Sequence, residues 1–223
     1  SLRPRTIRST PVNTVDHTRT ANVVGLGLIG GSIALALRER GWKVYGSDLD
    51  DEVSRHAQHE GIISEIGIAQ EAEITIVAVP VTASVDVVRE MLETTSGVVT
   101  DVGSVKAPIC ESIHDKRFIG GHPMAGSELE GLDGADPHMF DGAIWVLTPD
   151  LEADDENFAV VASLVREVGS EVVALSPTEH DRLVAVVSHL PHLTAASLMS
   201  LAQDRSEEHA SLLRLAAGGF RDM

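Results

Sequence analysis

Gly25-Leu26-Gly27-Leu28-Ile29-Gly30 is the stretch that decides the fold. It follows a short β-rich run, Ala21-Asn22-Val23-Val24, and opens an amphipathic helical stretch, Ile29 to Arg40, that Gly41 stops. Strand, G-x-G-x-x-G and helix in that order make a dinucleotide-binding fingerprint. The first glycine makes the tight turn. The second lets backbone approach a pyrophosphate, and the third lets the helix pack closely on the strand. The helix N-terminus then presents free N–H groups and a partial positive charge to phosphate oxygens.

Working outward, Lys43 to Ser47 reads as the next strand, and Asp48 stands at its end. A carboxylate there accepts hydrogen bonds from a ribose 2′-hydroxyl and repels a 2′-phosphate, so the expected cofactor is NAD rather than NADP. Asp50 and Asp51 read as caps of the following helix.

Further strands are expected at Ile74 to Val79, Val98 to Asp101, Phe118 to Gly120, Ala143 to Leu147 and Glu171 to Leu175, with a helix at Glu156 to Val168. The nearly unbroken apolar run from Ile74 fits a strand buried on both faces of a parallel sheet. The expected fold is therefore α/β, a Rossmann-type, mainly parallel doubly wound sheet with right-handed crossovers. From Pro177 the strand signal ends. Thr178 to Val187, Leu193 to Ala202 and Glu207 to Ala217 read as helices, with Pro191 interrupting between the first two. The expected organisation is a disordered tail over 1–19, a NAD-binding domain over 20–176, and the start of a helical domain over 177–223.

In an open α/β sheet, ligands sit beyond the carboxyl ends of the strands. Three segments lie at such ends: Val79-Pro80-Val81-Thr82, Asp101-Val102-Gly103-Ser104-Val105-Lys106, and Gly120-Gly121-His122-Pro123-Met124-Ala125-Gly126-Ser127-Glu128. Val79, Pro80, Asp101 and Ser104 join Gly25, Gly27, Leu28, Ile29, Gly30 and Asp48 as candidate cofactor-binding positions. Asp101 also reads as a cap of the next helix. His122, on a loop between glycines and a proline, is the candidate general base, because imidazole titrates near neutrality. Ser104 is placed to hydrogen-bond that imidazole or to touch the cofactor amide. In Ser188-His189-Leu190-Pro191-His192, His189 reads as a substrate contact and His192 as a buried, hydrogen-bonded group. No third ligand suggests a metal. Glu179-His180-Asp181 reads as a solvated helix start.

Composition excludes other classes. The 223 residues carry 17 Lys+Arg against 34 Asp+Glu, a formal charge of −17. Nucleic acid and anionic membranes both call for a basic surface, so neither is an expected partner. A single cysteine, Cys110, leaves no intrachain disulfide and no cysteine-built metal site. No apolar run reads as a spanning helix and the N-terminus does not read as a secretory signal, so the expected compartment is cytoplasmic.

Taken together, these motifs resemble the prephenate/arogenate dehydrogenase family of tyrosine biosynthesis. The resemblance rests on Gly25 to Ser32, Asp101 to Lys106, Gly121 to Gly126, Ser188 to His192 and the closing Gly218-Gly219-Phe220-Arg221-Asp222. It implies NAD-dependent oxidative decarboxylation of a cyclohexadienol, prephenate or arogenate, with a homodimer formed through the helical domain. By that resemblance His122 takes the proton of the C4 hydroxyl, and Ser104 aligns His122 and the nicotinamide. Ser127, Glu128 and His189 line the substrate pocket. It also implies an arginine a few residues past Asp222 for the substrate carboxylate. The sequence ends at Met223, so the expectation for these residues is NAD binding with little turnover. A β-hydroxyacid dehydrogenase would need a helical-domain lysine, and Pro177 to Met223 contains none. A non-catalytic nucleotide-sensing protein is the remaining alternative; in it His122 would be expendable.

Overall fold

The computed structural model describes residues 18–150 and 153–206. Eight strands form one sheet in the order β3-β2-β1-β4-β5-β6-β7-β8. They are β1 Thr20–Val24, β2 Lys43–Ser47, β3 Glu65–Ile66, β4 Ile74–Val77, β5 Val98–Asp101, β6 Phe118–Pro123, β7 Ile144–Thr148 and β8 Glu171–Ala174. The first six strands pair in parallel in the 3-2-1-4-5-6 order of a dinucleotide-binding sheet. Consecutive parallel strands require long crossovers. Four helices lie between them: α1 Leu28–Glu39, α2 Asp51–His59, α3 Val81–Thr94 and α4 Ala107–Ser112.

The last two strands run the other way. β7 pairs antiparallel with β6, His122 opposite Val146, and β8 pairs parallel with β7 across α5, Asp155–Glu167. Between β6 and β7 there is only a 3-10 turn at Leu132–Gly134 and no crossover helix, so the chain turns back on itself.

Side chains alternate between two apolar layers. Ile74, Ile76, Val98 and Ile119 join Ile33 and Leu37 of α1 and Val161, Leu164 and Val165 of α5. Val77, Val99 and Phe118 face the other way, against Val88 and Met91 of α3, Ile109 of α4 and Ile113 just past it. Each fully buried aliphatic side chain contributes about 1.5–3 kcal/mol. One buried polar residue in this sheet is fully engaged. Asn22 donates to Ala69 O and Thr75 Oγ1 at 2.9 and 3.0 Å and accepts from Ala69 N at 2.8 Å.

Three features differ from the sequence expectation. Arg19, assigned to a disordered tail, is pinned by Glu73 and Glu167 at 2.5 and 2.6 Å and lies 3.8 Å over the Trp42 ring. Pro191 does not interrupt the C-terminal helix. α6, Pro177–Val184, runs through a π-helical turn, Ala185–His189, into α7, Leu190–Ser206. Proline has no N–H and clashes with the carbonyl four residues back, and the wider π turn just before it absorbs that misfit. Continuity through Pro191 also merges two shorter apolar segments. Pro177–Ser200 is therefore a 24-residue helix with an 18-residue window of mean hydropathy 1.3, long and apolar enough by length and composition to cross a membrane, where the sequence reading found no such run. The expected helix at Glu207 to Ala217 and the closing Gly218 to Asp222 motif lie outside the described residues, as does the side chain of His192.

Candidate active site

The glycine loop sits at the switch point, where the sheet order reverses between β1 and β4. Gly25 has φ +91°, and a Cβ there would lie 2.4 Å from Ala78 O just past β4. A Cβ on Gly30 would lie 1.9 Å from Gly25 O, so only glycine lets α1 sit this close to the loop. Gly27 is different: nothing lies within 4 Å of its Cβ position. It is also the N-cap of α1 and makes no side-chain cap bond, leaving the first-turn N–H groups without a side-chain acceptor. Leu28 and Ile29 follow as the first helical residues. Asp48 closes the far side, accepting from Leu26 N at 2.7 Å and Asp50 N at 3.0 Å. Two engaged lone pairs leave the carboxylate able to accept a ribose hydroxyl. An uncapped helix end, an open glycine and a carboxylate at the end of β2 fit a dinucleotide. Asp50 caps α2 through Glu52 N at 2.9 Å, as expected.

Beyond β5, the structure corrects two expectations. Asp101 does not cap a helix; Lys106 is the N-cap of α4. Asp101 is buried in an ion pair with the equally buried Lys106 Nζ. The two clamp the backbone of one residue, Gly121, between them. Asp101 Oδ1 accepts from Gly121 N at 3.1 Å, while Lys106 Nζ donates to Gly121 O at 2.8 Å. Asp101 also accepts from Gly103 N at 2.9 Å, fixing the turn that carries Ser104. Ser104 itself is exposed and makes no hydrogen bond to His122. Its hydroxyl remains free to meet a ligand at the sheet edge. Val79 and Pro80 stand where β4 hands over to α3, with Pro80 as its N-cap.

His122 lies on β6, not on a loop, so its position is set by the sheet and by the clamped Gly121 before it. Its Nδ1 is 2.8 Å from Nε2 of His180, the rings meeting edge-on at 74° with centroids 5.1 Å apart. The hydrogen bond expected from Ser104 thus goes to a histidine of α6. His180, read from sequence as solvated, is fully buried. Its Nδ1 lies 2.7 Å from Asp181 Oδ1. Asp181 in turn accepts from Lys106 N and Ala107 N at 2.7 and 2.9 Å, which satisfies the first turn of α4. His180 shares a helix face with the buried Val184, at i and i+4, and that spacing was the available signal.

Burial pushes the His122 imidazole down to about 4, helped by the nearby His180, Lys106 and His189 and opposed by Asp181. The ring is therefore neutral and able to accept a proton at ordinary pH. The Asp181 carboxyl is held below the usual range: burial works against this, and its hydrogen bonds from Lys106 N, Ala107 N and His180 prevail. His189, exposed on the π turn, is near enough to be felt by His122. Ser127 and Glu128 lie on the exposed segment past β6, where Ser127 Oγ accepts from Leu129 N at 3.1 Å. Among the described residues no three His, Cys, Asp or Glu side chains cluster as metal ligands.

Residues 33–174 match the family model described as prephenate dehydrogenase, nucleotide-binding domain, and residues 176–223 match the corresponding dimerization domain. The chain is 35% identical over 221 residues to the prephenate dehydrogenase of Bacillus subtilis, covering 92% of this chain and 59% of that protein. With the Lactococcus lactis enzyme the identity is 37% over 216 residues, covering 90% and 59%. The chain thus spans about three-fifths of the length of these curated relatives. Among solved structures, Aquifex aeolicus prephenate dehydrogenase in complex with hydroxyphenyl propionate and NAD+ superposes with TM-score 0.83 and 33% identity, covering 92% of this chain and 76% of that one. Synechocystis arogenate dehydrogenase superposes with TM-score 0.76 and 34% identity, covering 91% and 77%.

Proposed function

The chain belongs to the prephenate dehydrogenase family, and on that premise we propose that it carries out NAD-dependent oxidative decarboxylation of prephenate to 4-hydroxyphenylpyruvate. The observation that carries this reading is His122. It is a neutral imidazole held on β6 beside the turn after β5, at the edge of the sheet where the glycine loop also opens.

The N–H groups at Gly27 to Gly30 would hold the pyrophosphate, and Asp48 would accept from the adenosine ribose. Bound NAD supplies a hydride acceptor. His122 accepts the proton of the substrate C4 hydroxyl as hydride leaves C4. The C1–carboxylate bond then breaks, its electron pair aromatises the ring, and the oxygen at C4 takes a proton back to become the phenol. Carbon dioxide departs, and NADH and the hydroxyphenyl product balance the equation. Aromatisation drives the step, so orientation and one base are the protein's main contribution. Ser104 would meet the nicotinamide and the C4 hydroxyl, while Ser127, Glu128 and His189 would line the substrate side. Both ligands are anions and the chain carries −17, so binding relies on local donors rather than on the overall field.

Arogenate is the second reading, favoured by the likeness to the Synechocystis enzyme. It differs only in an amino group where prephenate has a keto group. NADH formation at 340 nm from each substrate, with NAD and with NADP, tests both. Absence of NADH from either substrate in the full protein overturns the proposal.

The reading extends to a homodimer in the cytoplasm. Leu183, Val186, Val187, Leu190, Leu193 and Met199 leave an exposed apolar face along α6 and α7, within the residues matching a dimerization domain. Sedimentation of the full protein as a monomer would refute the dimer.

A further inference from the structure

We propose that His180 and Asp181 are positioning residues that order the protons of His122, so that docking of α6 on the nucleotide-binding domain creates the base. The proposal deepens the dehydrogenase reading and rests on it for the identity of the reaction.

The argument follows the donors and acceptors. An ionised carboxylate only accepts. Asp181 Oδ1, 2.7 Å from His180 Nδ1, therefore requires the proton on that nitrogen. With the ring neutral, His180 Nε2 is then a lone pair. That lone pair lies 2.8 Å from His122 Nδ1, so His122 must carry its proton on Nδ1 and donate. The consequence is a lone pair on His122 Nε2, the only nitrogen left for a substrate. Asp181 is itself held in place by the Lys106 and Ala107 N–H groups, so the order is anchored to the backbone of α4. His180 is fully buried, and among the described residues its ring makes no hydrogen bond besides these two. The charged or titratable groups facing His122 are His180 and Asp181 of α6, Lys106 before α4, and His189 on the π turn. Only the first two can set which nitrogen bears the proton, because neither Lys106 nor His189 is hydrogen-bonded to the ring. Fixing the tautomer of a catalytic histidine by a buried carboxylate is an established device, and in serine proteases the isosteric amide lowers turnover about 10⁴-fold.

The test is Asp181→Ala in the full protein, read in two ways. Asp181 Oδ1 accepts from both Lys106 N and His180 Nδ1, so an amide would keep an oxygen there, and only loss of the acceptor tests the order. Without it the His180 proton is no longer held on Nδ1, and His122 is no longer held as the donor. Long-range ¹H–¹⁵N spectra of the histidine rings are expected to show His122 protonated on Nδ1 in the wild type and spread over both nitrogens in the variant. NADH formation from prephenate is expected to fall about 10²–10⁴-fold, with the KM for NAD unchanged. Because Asp181 also caps α4, His180→Phe serves as a second variant that removes the acceptor and keeps the bulk. It is expected to release His122 from the Nδ1–H form with a similar loss of rate. If His122 keeps its proton on Nδ1 in either folded variant and turnover stays within about 3-fold, the proposal is overturned. A wild-type protein with the expected proton order that oxidised no prephenate would refute the substrate reading and leave the relay standing.

Discussion

His122 on β6 and His180 on α6, 58 positions apart in the chain, share a 2.8 Å contact between ring nitrogens. The contact joins the strand that ends at the nucleotide edge to the first helix of the C-terminal segment. It gives the candidate base a fixed ring orientation that no neighbour on β6 supplies, and it makes the site a property of both segments.

Replacing the base should remove most of the chemistry and leave the fold. His122→Asn is expected to lower kcat for NADH formation by about 10²–10⁴-fold, the usual worth of a general base, with NAD affinity retained. A loss of only a few-fold at 340 nm would exclude His122 from that role.

The depressed ionisation of His122 has a signed consequence for pH. The active form is the neutral ring, so the acid limb of kcat/KM is expected near 4 rather than near 6.5. Between those values the unfolded chain binds a proton that the folded chain does not. Stability contributed here is thus full above 6.5 and lost as pH falls toward 4. Urea denaturation across that window should show a shallower slope with pH in His122→Asn; an unchanged slope would refute the assignment.

Within the glycine loop, two substitutions should separate folding from binding. Gly30→Ala drives a Cβ to 1.9 Å from Gly25 O and is expected to destabilise the protein by about 1–3 kcal/mol. Gly27→Ala meets nothing within 4 Å, so the thermal midpoint should hold while NAD binding weakens. Calorimetric titration with NAD alongside thermal unfolding measures both. Equal effects of the two variants on stability would contradict the geometry.

Asp48 is expected to govern the choice of nucleotide. Asp48→Ser removes the charge facing the ribose edge, so the preference for NAD over NADP should shrink by about tenfold or more. Ratios of kcat/KM with the two cofactors check this, and an unaltered ratio would place the discrimination elsewhere.

The buried Asp101–Lys106 pair clamps Gly121, the residue before His122, and breaking it leaves one charge alone in the interior. Lys106→Met is expected to cost about 3–5 kcal/mol in chemical denaturation, far more than a surface ion pair. A cost below about 1 kcal/mol would mean that Asp101 finds its compensation from Gly103 N and Gly121 N alone.

What could be read along the chain was whatever depends on near neighbours. The turn at Gly25, the α1 helix and the position of Asp48 follow from residues within one strand–loop–helix unit, and all three stand where the motif puts them. Strands β1, β2, β4, β5 and β6 follow from their short apolar runs, whereas the two-residue, exposed β3 carries no such signal. Three other features escaped for a common reason. The antiparallel return of β7 depends on how β6 leaves the sheet. The Asp101–Lys106 pair looks like two ordinary loop charges until both are buried. Pro191 marks a break by local rules, yet a π turn accommodates it.

The sequence by itself determined a parallel nucleotide-binding sheet, its glycine loop, and a histidine at the carboxyl edge. Only the tertiary structure decided that this histidine is held by His180 and Asp181, and that Ser104 leaves its ring alone. Periodicity reports which face of a helix is apolar, and it treats a histidine there as polar and solvated. A hydrogen bond requires two atoms within about 3 Å, and for residues this far apart in the chain only the docking of α6 brings them there.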